Sequence, residues 1–168
     1  MGGMGTKRPP RIKGISYVGA SAYFLTICAV NRSRPFVEPG CASAVCEQFL
    51  RTASAYRFAV DAYCLMPDHF HALVEGLADN SDFRRFVAMF KQRTSFEHRR
   101  ATGLILWQEG YFERVLRTEE PRLAVAAYIV NNPIRAGLCK SIEQYPFTGS
   151  NRYTLNELAE AVQFRPDR

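Results

Sequence analysis

The sequence predicts an α+β fold: a ferredoxin-like split βαβ unit, with one antiparallel sheet, helices on one face and helical additions at the C-terminal end. Three observations point there. Short runs rich in β-branched and aromatic residues alternate with longer segments of helical periodicity, in the order strand, helix, strand, strand, helix, strand. Two of the strands are separated only by Met66-Pro67-Asp68, a hairpin signal. A chain of 168 residues, 47% hydrophobic and 12% aromatic, suffices for one ordinary core, and neither an internal repeat nor a domain break is visible.

Residues 1–16, rich in Gly, Pro, Lys and Arg, read as a flexible basic arm ahead of a domain over 17–150. Residues 21–31 form the first strand, closed by Arg32-Ser33-Arg34-Pro35. A helix follows over 39–56, where Val45, Phe49 and Leu50 recur at helical spacing. Residues 57–65 and 69–75 are the hairpin strands; Pro67 between them cannot donate to a ladder. Ser81 or Asp82 caps a second helix reaching Arg100, with an apolar stripe of Phe83, Phe86, Val87 and Phe90. A strand-like stretch covers 104–116, a third helix 119–131 with Pro121 in its first turn, and a short helical piece 134–139. The tail, 151–168, holds one last helix over 155–163.

The net charge of +6 and a pI near 9.2 favour an anionic partner, nucleic acid being the commonest. No apolar run approaches the ~20 residues that span a bilayer, and the basic start lacks the apolar stretch of a secretory signal. Cytoplasm is the expected compartment. Five scattered cysteines without a C-x-x-C pair read as reduced thiols and argue against cysteine-bound zinc.

Two of the three histidines, His69 and His71, open the second hairpin strand. Residues two apart on a strand share a face, about 7 Å apart, so both imidazoles can converge on one ion while Phe70 turns into the core. The competing reading is a histidine pair without a ligand. Imidazoles alone suit zinc, copper or nickel; a site that also handles phosphate suits Mg2+ or Mn2+, completed by oxygen ligands. Asp68 and Glu75 lie nearby in sequence, Glu75 on the histidine face but well along the strand.

The stretch Cys64-Leu-Met-Pro-Asp-His-Phe-His-Ala-Leu-Val-Glu75 resembles the signature of the single-tyrosine HUH transposases of the IS200-like class, especially those associated with repetitive extragenic palindromes. Further matching blocks fall in order: Tyr23-Phe-Leu-Thr26, Phe90-Lys-Gln92, Leu106-Trp-Gln-Glu-Gly-Tyr111, Val115-Leu-Arg117 and Tyr128-Ile-Val-Asn-Asn-Pro-Ile-Arg-Ala-Gly-Leu138. The resemblance implies a protein that binds single-stranded, hairpin-bearing DNA and cuts and rejoins it. In such proteins a tyrosine hydroxyl attacks the phosphodiester, leaving a 5′-phosphotyrosine and a free 3′-hydroxyl, with a divalent metal and no nucleotide cofactor. Both monomers and homodimers are compatible with it.

The resemblance puts the nucleophile on the helix after the H-x-H strand, yet no tyrosine lies between Tyr63 and Tyr111. The best-matching position holds Phe96, which falls off that helix's apolar stripe, and a slip of two would place it at Thr94. Three explanations follow: an engineered inactive variant, a natural binder that does not cut, or Tyr111 as substitute nucleophile. Gln92, at i, i+4 from Phe96, is a candidate third metal ligand. Lys91, Arg93, Arg99 and Arg100 on the same helix, with Asn132 and Arg135 of the Asn-Pro-Ile-Arg block, are candidate DNA contacts. Two rivals to a cleaving transposase stand: a non-cleaving binder of palindromic DNA, and an unrelated metal-dependent nuclease using activated water.

Overall fold

The computed structural model describes residues 13–118 and 120–163. Most of the predicted basic arm, residues 1–12, lies outside them. The strands are β1 (Ala22–Cys28), β2 (Phe58–Met66), β3 (His69–Gly76), β4 (Phe112–Val115) and β5 (Thr148–Gly149). They form one sheet in the order β4-β1-β3-β2-β5, with every described pairing antiparallel. The first four strands have the split βαβ order, since β3 is inserted between β1 and β2.

Helix α1 (Pro39–Ala55) joins β1 to β2, and α2 (Phe83–Thr102) joins β3 to β4. Glu38 caps α1 by accepting from the Gly40 and Cys41 amides, and Asp82 caps α2 by accepting from Arg85. Gly103, at φ 75°, stops α2 in a left-handed turn. Both helices pack on one face of the sheet. Strand alternation sends Tyr23, Leu25 and Ile27 of β1 and Phe70, Ala72 and Val74 of β3 into that core, against Phe49, Phe83, Phe86 and Phe90. Each of these buried phenylalanines contributes about 1.5–3 kcal/mol.

The C-terminal additions cover the opposite face. Helices α3 (Arg122–Val130) and α5 (Leu155–Gln163), with the short α4 (Asn132–Arg135), meet a second core containing Ala62, Cys64, Met66 and Leu73. Covered on both sides, β2 is buried along its whole length. A bulge between Val60 and Ala62 shifts the register of β2 against β3. Before it, Phe58 and Val60 belong to the first core; after it, Ala62, Cys64 and Met66 belong to the second.

Three boundaries differ from the sequence reading. Of the stretch 104–116 only Phe112–Val115 is strand. Ahead of it, Trp107 is buried with Nε1 donating to Thr94 Oγ1 at 2.8 Å, and Gly110 turns the chain at φ 78°. Pro121 precedes α3 as its cap instead of sitting in its first turn. The short helix starts at Asn132, ahead of Pro133, not after it. The two-residue β5 lies in a stretch without strand periodicity. None of the five cysteines is in a disulfide, and among the described residues no helix is long and apolar enough to cross a membrane.

Candidate functional site

The hairpin turn at Pro67 and Asp68 delivers His69 and His71 to the face that α3, α4 and α5 cover. Register places His69 between Cys28 and Met66, and His71 between Thr26 and Cys64. The two imidazole centroids are 4.6 Å apart, with ring planes at 77°.

Each ring is held through Nδ1. His69 Nδ1 donates to Asp68 Oδ1 at 2.6 Å, and His71 Nδ1 shares a 2.9 Å hydrogen bond with Thr26 Oγ1. Among the described residues no hydrogen bond engages either Nε2, which leaves those two nitrogens as the ones able to bind a ligand. Burial is the main reason that His71 titrates low, down to about 4; the neighbouring charges of His69, Arg135 and Arg32 push the same way. His71 is therefore neutral at physiological pH, the state that coordinates metal. Partial burial alone would raise the Asp68 carboxyl. The hydrogen bond from His69 and the charges of His69 and Arg32 outweigh that and hold it below the usual range.

Behind this pair the chain turns through Asn31 and Arg32, both with positive φ, at 50° and 52°. Arg32 sends Nε to Asp68 Oδ2 at 3.1 Å and Nη1 to Cys28 Sγ at 3.1 Å. On the other side stands the Asn-Pro-Ile-Arg block. Helical amide bonds run on from α3 into α4, with Asn131 donating to Ala127 and Arg135 to Asn131. Pro133 has no N–H to give the Ile129 carbonyl one turn back; the Asn132 side-chain amide donates to that carbonyl instead, at 3.0 Å. Asn132 Oδ1 is thereby free to accept from Arg135 Nη2 at 2.8 Å, and the Arg135 guanidinium rests 4.0 Å above the Tyr128 ring.

The tyrosines sort cleanly between the two layers. All eight lie in described residues. Tyr17, Tyr23 and Tyr63 belong to the first core, and Tyr56 and Tyr111 pack against it. Tyr145, in the second layer, donates its hydroxyl to Leu65 O at 2.6 Å. Tyr153 lies at the far end of that layer, where it feels Asp61, Arg122, Arg152 and Glu75. Tyr128, half-buried on α3, remains as the tyrosine beside Arg135, whose charge reaches His71.

Several sequence-derived candidates are not brought to the histidines. Helix α2 packs on the Phe70 face (Phe70 and Phe90 centroids 5.3 Å apart), whereas His69 and His71 point to the other side of β3. Phe96, 63% exposed, and Gln92, also exposed, therefore lie across the sheet from the histidine rings. Tyr111 is on that side too, its ring against Phe83 at 6.2 Å. Lys91 donates Nζ to the carbonyls of Gln108 and Gly110 at 3.0 and 2.7 Å, bracing the loop ahead of β4. Arg93, Arg99 and Arg100 project from α2, Arg100 pairing with Glu97 at 2.9 Å. Asn132 and Arg135 are on the histidine side. Glu75 is taken by Arg122 and Arg152 at 2.7 and 2.8 Å. Among the described residues no group of three or more His, Cys, Asp or Glu side chains is arranged to hold an ion.

Tyr128 was legible in principle. Right-handed crossovers put both helices of a split βαβ unit on one side of the sheet, so helices after β4 have only the histidine face left to cover. Tyr128, Asn132 and Arg135 follow at i, i+4 and i+7 along such a helix.

Comparison with known proteins agrees with this architecture. The family model described as "Transposase IS200 like" matches residues 18–132. A Haemophilus influenzae protein provisionally named a REP-associated tyrosine transposase is 22% identical over 145 residues, covering 77% of this chain and 80% of its own. The REP-associated tyrosine transposase of Escherichia coli is 27% identical over 96 residues, 56% of each chain. The solved structure of a REP-associated tyrosine transposase bound to a REP hairpin superposes with a TM-score of 0.69 at 20% identity, covering 87% of this chain and 90% of that one.

Proposed function

Since the chain belongs to the IS200-like transposase family, we propose that it binds single-stranded, hairpin-bearing DNA and cuts and rejoins it with Tyr128 as nucleophile. The hairpin partner is supported by the related transposase solved on a REP hairpin. The observation that carries the nucleophile is the sorting of tyrosines: Tyr128 is the one on the histidine-facing layer next to a guanidinium whose charge reaches His71. On this reading Phe96 is not a lost nucleophile, and no inactivating substitution need be invoked.

The donor set fits a divalent ion: two adjacent imidazoles, each fixed at Nδ1, with His71 uncharged. His69 and His71 would hold Mg2+ or Mn2+, which when bound withdraws charge from a phosphate oxygen. The remaining chemistry belongs to the chain. The Tyr128 oxygen forms a bond to phosphorus as the bond to the 3′-oxygen breaks; the phenolic proton is lost to solvent and the departing 3′-oxygen gains one. The product is a 5′-phosphotyrosine with a free 3′-hydroxyl, and attack by a 3′-hydroxyl reverses the step. Arg135, over the Tyr128 ring, supplies fixed positive charge for the phosphate. Arg32, across the histidine pair, adds to the same positive field.

The test is a labelled single-stranded hairpin incubated with the protein and Mn2+, resolved on a denaturing gel. Wild type and Tyr111→Phe are expected to give a covalent protein–DNA band, and Tyr128→Phe none. A band that survives Tyr128→Phe overturns the assignment, and cleavage without any adduct favours water as nucleophile.

A further inference from the structure

We propose that Arg32 is a positioning residue for the histidine pair: it clamps Asp68 so that the carboxylate holds the His69 ring in one tautomer and one orientation. The inference rests on the reading of His69 and His71 as the metal-holding pair.

The backbone supplies the first reason. Among described residues other than glycine, only Asn31, Arg32 and Arg57 have positive φ. Asparagine tolerates the left-handed region; an arginine there is disfavoured, and glycine would adopt φ 52° without strain. Such strain persists where the surroundings over-determine it. Here they do: Ala29 N donates to Asp68 O and Val30 N to Leu106 O, each at 2.9 Å, and Arg32 N returns to Ala29 O at 3.1 Å. The corner after β1 is thus stitched to the turn that launches β3.

The side chain supplies the second. From that strained position the guanidinium reaches both groups flanking His69. Nε and Nη2 lie 3.1 and 3.0 Å from Asp68 Oδ2, and Nη1 is 3.1 Å from the sulfur of Cys28, the cross-strand neighbour of His69. The other carboxylate oxygen, Oδ1, accepts from His69 Nδ1 at 2.6 Å. Each oxygen of Asp68 therefore has one assignment. A carboxylate can only accept, so in the uncharged ring the proton sits on Nδ1 and the lone pair on Nε2. Without the guanidinium fork, Asp68 is free to rotate and the imidazole to turn with it. A lysine could carry the charge but not the two-point grip.

The experiment compares the full-length wild type with Arg32→Gly and Asp68→Asn. Long-range proton–nitrogen NMR of the imidazoles reports the His69 tautomer, electron paramagnetic resonance of free Mn2+ reports affinity, and thermal melting reports the fold. Arg32→Gly removes the strain along with the side chain, so a folded protein is expected. In it the His69 signals should show mixed tautomers, and the Kd for Mn2+ should rise about tenfold or more; Asp68→Asn should shift the tautomer signals the same way. A folded Arg32→Gly protein with a pure Nδ1–H signature and a Kd within about twofold of wild type overturns the proposal. A wild type that binds no Mn2+ overturns the metal reading instead, and the tautomer comparison still decides for or against Arg32.

Discussion

The Arg135 guanidinium lies 4.0 Å above the ring of Tyr128, seven residues back along an almost unbroken helical path. This contact joins the proposed nucleophile to a cation that is itself held by Asn132 and whose charge reaches His71.

Removing that cation should slow chemistry more than it disturbs folding, because Arg135 is exposed. Arg135→Ala is expected to lower the single-turnover rate of adduct formation about 100-fold. The dependence of DNA affinity on salt should flatten by about one unit of log–log slope. Arg135→Lys should restore part of the salt slope but not the ring contact. Adduct formation at the wild-type rate in Arg135→Ala would remove Arg135 from the site.

The substitution of the Asn132 amide for the missing Pro133 N–H makes an unusual coupling between neighbours. Asn132→Ala strands the Ile129 carbonyl and should destabilise by about 1–2 kcal/mol. Placed on a Pro133→Ala background, where residue 133 can donate its own amide, the same change should be nearly silent. A double-mutant cycle by urea denaturation measures the difference; additive effects would mean that the side-chain amide carries nothing.

At the far end of the histidine face, Glu75 lies 2.7 Å from Arg122 and 2.8 Å from Arg152, and both arginines also hold Asp61, which is fully buried. Partial burial alone would raise the Glu75 carboxyl, but hydrogen bonds from Arg122 and Arg152 and their charges hold it below its usual value. A carboxyl lowered in the folded state stabilises fully above its unfolded value of about 4.3 and loses that contribution as pH falls through the folded one. Glu75→Gln should therefore lower stability at pH 7 while reducing its loss on acidification to pH 3. Parallel acid limbs for the two proteins in urea melts would contradict this.

A methyl group on Gly76 would overlap the carbonyl oxygen of Gly19 and sit 3.0 Å from the Ser81 side chain. Backbone bonds from Gly76 to Ser21 at 3.0 Å and from Gly19 to Ser81 at 2.9 Å prevent either strand from retreating. Gly76→Ala is expected to destabilise by about 2 kcal/mol or more, read as a lower melting temperature. An unchanged melting temperature would show that this crossing is loose.

Local pattern by itself determined the hairpin at Pro67 and Asp68, the shared face of His69 and His71, the apolar stripe of α2 and the succession of the first four strands along the chain. Each is a property of period two, period 3.6 or a turn residue, and needs no distant contact. Which layer a helix joins is different in kind: Phe96 and Tyr128 both sit on helices of suitable sequence, and only the folding of α2 onto the Phe70 side and α3 onto the histidine side separates them. The bulge between Val60 and Ala62, which turns Cys64 and Met66 toward the histidines, also arises from cross-strand register. Arg32 and Asp68 are 36 positions apart, so their clamp exists only because pairing of β1 with β3 brings two corners together. Chain periodicity sets which way a side chain turns from its own strand or helix; packing of the layers decides what it meets there.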